Sequence, residues 1–180
     1  MRAIHAQAWL VGVLAHASGY DFTFHRRPSG GAVHVTREFS SDPGELSAMR
    51  EFLRHAFRQA WPGEDGDHLQ HLELALQEAA SNIMRHAYGG ERERGIELTI
   101  DADAETIQIE LLHEGEPFDA TKAPPPVFDG SREGGFGCYL ISASVDRVEY
   151  LHNLRGKNGI RLWKHRRRRD HDGDPSDVDE

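Results

Sequence analysis

Glu78, Asn82 and Arg85 are the side chains whose types and spacing could do chemistry together. They lie in the stretch LELALQEAASNIMRHAY, Leu72 to Tyr88, at intervals of four and three residues. A helix turns by about 100° per residue, so all three project from nearly the same side. One carboxylate, one amide and one guanidinium therefore share a face. By itself that is what the polar side of any amphipathic helix carries. Farther along, however, Glu133-Gly134-Gly135-Phe136-Gly137 runs directly into the apolar Cys138-Tyr139-Leu140-Ile141. A glycine cluster that opens a helix is a phosphate-binding device. A Glu/Asn helix joined to such a loop points to a nucleotide and metal site.

The elements that must hold these groups follow from periodicity. Leu72, Leu76, Ala79, Ile83 and Ala87 form an apolar stripe facing a core, and Gly89-Gly90 ends that helix. Before it, Val33 to Phe39 suits an edge strand. Asp42-Pro43-Gly44-Glu45 reads as a helix start, with Asp42 as cap, Pro43 at the first position and Glu45 closing a capping box. Leu46, Met49, Leu53, Phe57 and Ala60 continue at helical spacing to Trp61, where Pro62-Gly63 stops the helix. Ile96 to Ile100 and Thr106 to Leu112 predict an antiparallel hairpin with one face inside and the other largely wet. His113-Glu114-Gly115-Glu116-Pro117-Phe118-Asp119 must loop. Thr121 to Ser131, with Pro124, Pro125 and Pro126, has the irregularity and length of a lid. Cys138 to Val145 reads as a helix, and Asp146 to Leu151 with Gly159 to Trp163 as a second hairpin. His68 and His71 are three apart without further ligands and read as a surface helix face.

Composition bounds the partners. The 180 residues suit one domain, with residues 1–32 as an extension, 33–165 as the folded unit and 166–180 as a charged tail too polar to order itself. The extension, for which a short helix is one option, is expected to cover a sheet edge or mediate contacts within a homodimer. A formal net charge of −9 argues against direct nucleic-acid binding, which needs a basic surface. One cysteine, Cys138, excludes an internal disulfide and fits a reducing compartment. Ala8 to Ala15 is a faint echo of a signal-peptide core, and no stretch approaches the length that spans a bilayer, so a soluble, cytoplasmic location is the default.

Three motifs in order carry a resemblance: EAASNIMRHAY from Glu78 to Tyr88, EGEPFD from Glu114 to Asp119, and EGGFGCYLI from Glu133 to Ile141. Over roughly Val33 to His165 the chain resembles the GHKL ATPase superfamily, and within it the anti-sigma-factor serine kinases of the RsbW type. The resemblance implies an α/β, Bergerat-type two-layer sandwich: a mostly antiparallel, mixed sheet covered on one face by about three helices. It implies ATP between the Glu78 helix and the proline-rich lid, with Glu78 as the catalytic base and Asn82 as the ligand of Mg²⁺. Cofactor contacts would come from Asn82, Arg85, His113, Gly115, Arg132, Gly134, Gly135, Phe136 and Gly137. The chemistry suits these types independently: an ionised carboxylate accepts a proton, and an amide oxygen is a hard, neutral ligand.

Two departures stand out. Family members usually carry Asp where this chain has His113, and that carboxylate accepts a hydrogen bond from the adenine amino group. The last hairpin usually begins Gly-Thr, whereas here Gly159 is followed by Ile160. Two functions remain open at this point. One is an ATP-dependent kinase that phosphorylates a serine of a STAS-type anti-sigma antagonist and sequesters a sigma factor, which retention of Glu78 favours. The other is a non-catalytic partner-switching module with weak or lost ATP binding, which the departures favour. The catalytic domain of a sensor histidine kinase shares the fold, but the chain has no recognisable phosphoacceptor helix pair.

Overall fold

The computed structural model describes residues 10–15, 21–26, 32–64, 66–118 and 136–166. Its strands are β1 (Leu10–Ala15), β2 (Asp21–Arg26), β3 (Val33–Ser40), β4 (Gly95–Ala102), β5 (Thr106–His113), β6 (Arg147–Leu154) and β7 (Lys157–His165). They form one sheet in the order β1-β2-β3-β4-β5-β7-β6, and every neighbouring pair is antiparallel. Three helices, α1 (Leu46–Ala60), α2 (Asp67–Asn82) and α3 (Phe136–Ser144), lie against β3 to β7. The result is a two-layer α/β sandwich. Among the described residues no helix is long and apolar enough to cross a membrane.

Alternation decides which face is covered. Ile96, Leu98 and Ile100 of β4 and Ile107, Ile109 and Leu111 of β5 are fully buried, while the residues between them are half-buried on the opposite face. Leu112 breaks the pattern, for it lies on the outer face and is still buried, against Gly159 of β7. Glu97 with Lys157, and Glu110 with Arg161, pair across that outer face.

The helices supply the other half of the core. In α1 the buried set is Met49, Phe52, Leu53, Ala56, Phe57 and Ala60. Each large side chain among them contributes roughly 2 kcal/mol by leaving water. Trp61 closes α1, 1% exposed, and its indole N–H donates to the carbonyl of Asp103 at 2.8 Å. His68 packs edge-on against that indole.

Several expectations are corrected. Val33 to Phe39 is no edge strand, because β3 is flanked by β2 and β4. The N-terminal extension contributes strands rather than a short helix: β1 and β2 pair as a hairpin that extends the sheet beyond β3. Asp42 does cap, accepting from Gly44 N–H at 2.8 Å, but Pro43–Glu45 forms a short 3₁₀ turn and the box does not close. The Asp42 N–H goes to Ser40 Oγ instead, at 3.3 Å. The second hairpin turns tightly at Arg155-Gly156, so β6 and β7 run longer than their apolar cores. The lid segment from Thr121 to Ser131 lies outside the described residues, as does the tail after Arg166.

Candidate functional site

The helix α2 buries Leu72, Ala75, Leu76, Ala79 and Ala80 and leaves Glu78 and Asn82 half-buried on its polar side. That side faces α3. An ideal Cβ built on Gly137 would stand 3.1 Å from Oε2 of Glu78, 3.4 Å from Nδ2 and 3.5 Å from Oδ1 of Asn82. The carboxylate and the amide thus point at the start of the helix that the glycine run opens. A side chain at position 137 would occupy the space between them.

Beyond Asn82 the helix changes character. Ile83–Ala87 forms a wider, π-type turn, in which the Tyr88 N–H reaches back five residues to the Ile83 carbonyl at 3.0 Å. Such turns expose backbone groups and recur at functional sites. Here the Ala87 carbonyl accepts from Glu116 N–H at 3.0 Å. The Tyr88 hydroxyl donates to the Gly95 carbonyl at 2.5 Å and accepts from Glu114 N–H at 3.0 Å. Asn158 Nδ2 donates to the Gly115 carbonyl at 3.0 Å. The loop leaving β5 is therefore fastened to α2 on one side and to β7 on the other.

These contacts enclose a cavity of about 300 Å³. Its walls are Ala79, Asn82, Ile83, His86 and Ala87 from α2 and its last turn, His113 from β5, and Glu116, Pro117 and Phe118 from the loop. Ile141 of α3, Tyr150 of β6 and Gly159 and Ile160 of β7 complete it. Phe118 stacks on Tyr150 with ring centroids 4.6 Å apart. An apolar hollow of this size with a few polar groups is the usual form of a small-ligand site.

His113 is the notable polar group. It is 3% exposed, edge-on to Tyr88 at 5.7 Å, and its Nδ1 is buried with no hydrogen-bond partner among the described residues. Burial pushes its pKa down to about 4, so the imidazole is neutral at physiological pH. Burial also pushes the Tyr150 hydroxyl up to about 12, helped by the neighbouring Cys138. The Cys138 thiol is raised as well, by burial first and by the Glu78 charge, against a lowering hydrogen bond with Tyr150.

The other predicted site residues divide. Arg85 is exposed and folds back along its own helix, with Nε to the Ser81 carbonyl at 3.3 Å and Nη2 at 3.5 Å from Asn82 Oδ1. It does not line the cavity. Gly115 sits beside the cavity as a packing point rather than a wall, since a Cβ there would stand 2.8 Å from Tyr88 Cδ1. Phe136 opens α3, half-buried. Arg132, Gly134 and Gly135 lie outside the described residues. Sequence reasoning missed Tyr88 and Tyr150. A tyrosine on the core-facing side of a strand or at a helix end needs a partner for its hydroxyl, and that demand was the available signal.

The histidine kinase-like ATPase domain family matches residues 39–164. The serine-protein kinase RsbW of Staphylococcus epidermidis is 32% identical over 112 residues, which cover 57% of this chain and 69% of that protein. The RsbW of Oceanobacillus iheyensis is 32% identical over 89 residues, 45% of this chain and 56% of that protein. The RsbW of Bacillus subtilis is 24% identical over 114 residues, covering 59% and 71%. With the sandwich, the paired Glu78 and Asn82 and the adjoining hollow, these matches make the chain a member of the histidine kinase-like ATPase family, of the RsbW type.

Proposed function

We propose that this protein is an ATP-dependent serine-protein kinase of the anti-sigma class, which phosphorylates a serine of a STAS-type antagonist and alternately sequesters a sigma factor. The observation that carries the reading is the joint approach of Glu78 and Asn82 to Gly137 at the mouth of α3, beside an apolar cavity. The residues present fit a nucleotide. The hollow offers apolar walls and the buried His113 imidazole for a base, and the bare Gly137 backbone leaves room for phosphates.

Phosphoryl transfer asks the protein mainly for positioning and charge. In this reading Glu78 takes the proton from the attacking serine hydroxyl as that oxygen bonds to the terminal phosphorus, while the bond from this phosphorus to the bridging oxygen breaks and its electron pair leaves with ADP. The amide oxygen of Asn82 would hold a magnesium ion, which would supply charge neutralisation for the phosphates. The first N–H groups of α3 would hold phosphate oxygens, and the family resemblance adds Gly134, Gly135, Arg85 and Arg132 to that role. Ala79, Ile83, Ile141 and Ile160 exclude water from the base.

A second reading, a binding module that has lost transfer, draws support from His113 and Ile160, both of which line the cavity where the family pattern has a carboxylate and a hydroxyl. One experiment decides between them. The full chain is mixed with γ-labelled ATP, Mg²⁺ and a STAS-type antagonist from the same genome, and label on the antagonist serine is followed for wild type and Glu78→Ala. Transfer by wild type that Glu78→Ala abolishes, with ATP still bound, supports the kinase. Tight partner binding without transfer supports the module.

A further inference from the structure

We propose that the cavity accepts 6-amino and 6-oxo purine nucleoside triphosphates alike, with His113 as the residue that sets this tolerance. The inference rests on the nucleotide reading above.

The floor beneath a base is almost wholly apolar, built by Ala79, Ile83, Ile141 and Ile160. Shape and burial therefore hold any purine equally, and discrimination falls to the few polar groups. His86 and Glu116 are exposed at the rim. The Tyr150 hydroxyl is engaged with Cys138. His113 is the buried polar side chain left over.

A carboxylate at that position could only accept. It would take a hydrogen bond from an exocyclic amino group and repel an exocyclic oxygen. A neutral imidazole carries one N–H and one bare nitrogen. Which nitrogen is which is normally fixed by the partner of the ring atom that faces away from the ligand. Nδ1 of His113 has no such partner among the described residues. Neither tautomer is held, so the ring can accept from a 6-amino group or donate to a 6-oxo group with one nitrogen and the same geometry. Burial keeps the ring neutral, so both forms are available near pH 7.

The test compares ATP with ITP, which carries a 6-oxo group and an N1–H where ATP has a 6-amino group and a bare N1, by calorimetry on the full chain with Mg²⁺. Wild type should bind the two within about fivefold of each other, a gap of about 1 kcal/mol. His113→Asp should favour ATP by about tenfold or more, because the carboxylate cannot donate to an oxygen. His113→Asn, which keeps one donor and one acceptor, should retain near-parity and serves if the aspartate variant does not fold. Wild type preferring ATP by more than that fivefold margin, or an unchanged ratio in a folded His113→Asp protein, overturns the inference and leaves the nucleotide site standing. Absence of binding by both nucleotides overturns the site itself.

Discussion

Oε2 of Glu78 lies 3.1 Å from where a Cβ of Gly137 would stand. Two helices that belong to different halves of the chain thereby meet across a single missing methyl group. A methyl there would be tighter than an ordinary contact, but it would meet only the ends of flexible side chains. Packing should survive while Glu78 and Asn82 turn aside. Gly137→Ala is expected to cost about 1 kcal/mol or less in urea titration. In the proposed kinase reading it should slow phosphate transfer by about tenfold or more, because the proposed base, Glu78, is moved off line. Full turnover in a folded Gly137→Ala protein would show that the close approach is idle.

Gly115 tolerates no such adjustment. A Cβ there would run into the Ala87 carbonyl and stand 2.8 Å from Tyr88 Cδ1, so backbone must move. Gly115→Ala should destabilise the fold by about 2–3 kcal/mol, as overpacking against fixed atoms does. Thermal melting of the variant checks this. An unchanged midpoint would mean that the loop from Glu114 simply lifts away.

The buried His113 gives stability a pH dependence whose sign is fixed. Its folded pKa is lowered by burial from 6.5 to about 4, so between those values the unfolded chain binds the proton and the folded one does not. The contribution is complete above pH 6.5 and declines as pH falls toward 4. It amounts to about 3 kcal/mol over the full window. The groups facing the ring are the Tyr88 side chain and, at the rim of the cavity, His86 and Glu116. Urea titrations of wild type and His113→Gln at pH 7 and pH 4.5 should differ in slope against pH. Parallel behaviour of the two proteins would refute the assignment.

Lys164 is buried in β7, and its ammonium donates to the Ser144 carbonyl at 2.8 Å, at the end of α3. It also lies 3.8 Å from Asp146. A cation at a helix C-terminus satisfies a free carbonyl and complements the dipole. Lys164→Met fills similar volume but leaves that carbonyl unpaired, at a cost of about 1–3 kcal/mol. Hydrogen exchange should quicken in the last turn of α3 before it does in α1. Uniform loss across both helices would place the effect elsewhere.

The parts of this fold that alternate or repeat strictly were legible in the chain. Ile96 to Ile100 and Ile107 to Leu111 declare a two-sided sheet, and the stripe from Met49 to Ala60 declares α1. The start of α2 was marked only by the polar loop from Gly63 to Asp67, because Gly66 caps it with no side-chain hydrogen bond. The wide turn at Ile83–Ala87 has no residue signature at all, since its sequence continues the helical period. Lys164 reads as a surface charge until the helix end it serves is in view. In the site, the shared side of Glu78 and Asn82 follows from spacing alone. The lone nitrogen of His113 does not, because a missing partner is a property of packing.

The carbonyl of Ala87 ties two parts that the ligand would touch from opposite sides. It has left the helical ladder for the N–H of Glu116, so the roof of the hollow is tethered to the end of the rod that bears Asn82. Raising that roof to admit or release a guest must either snap the tether or tug the rod along with it. In the proposed nucleotide reading, entry of a base and the aim of the amide would be linked through that one bond, so slackening one would loosen the other.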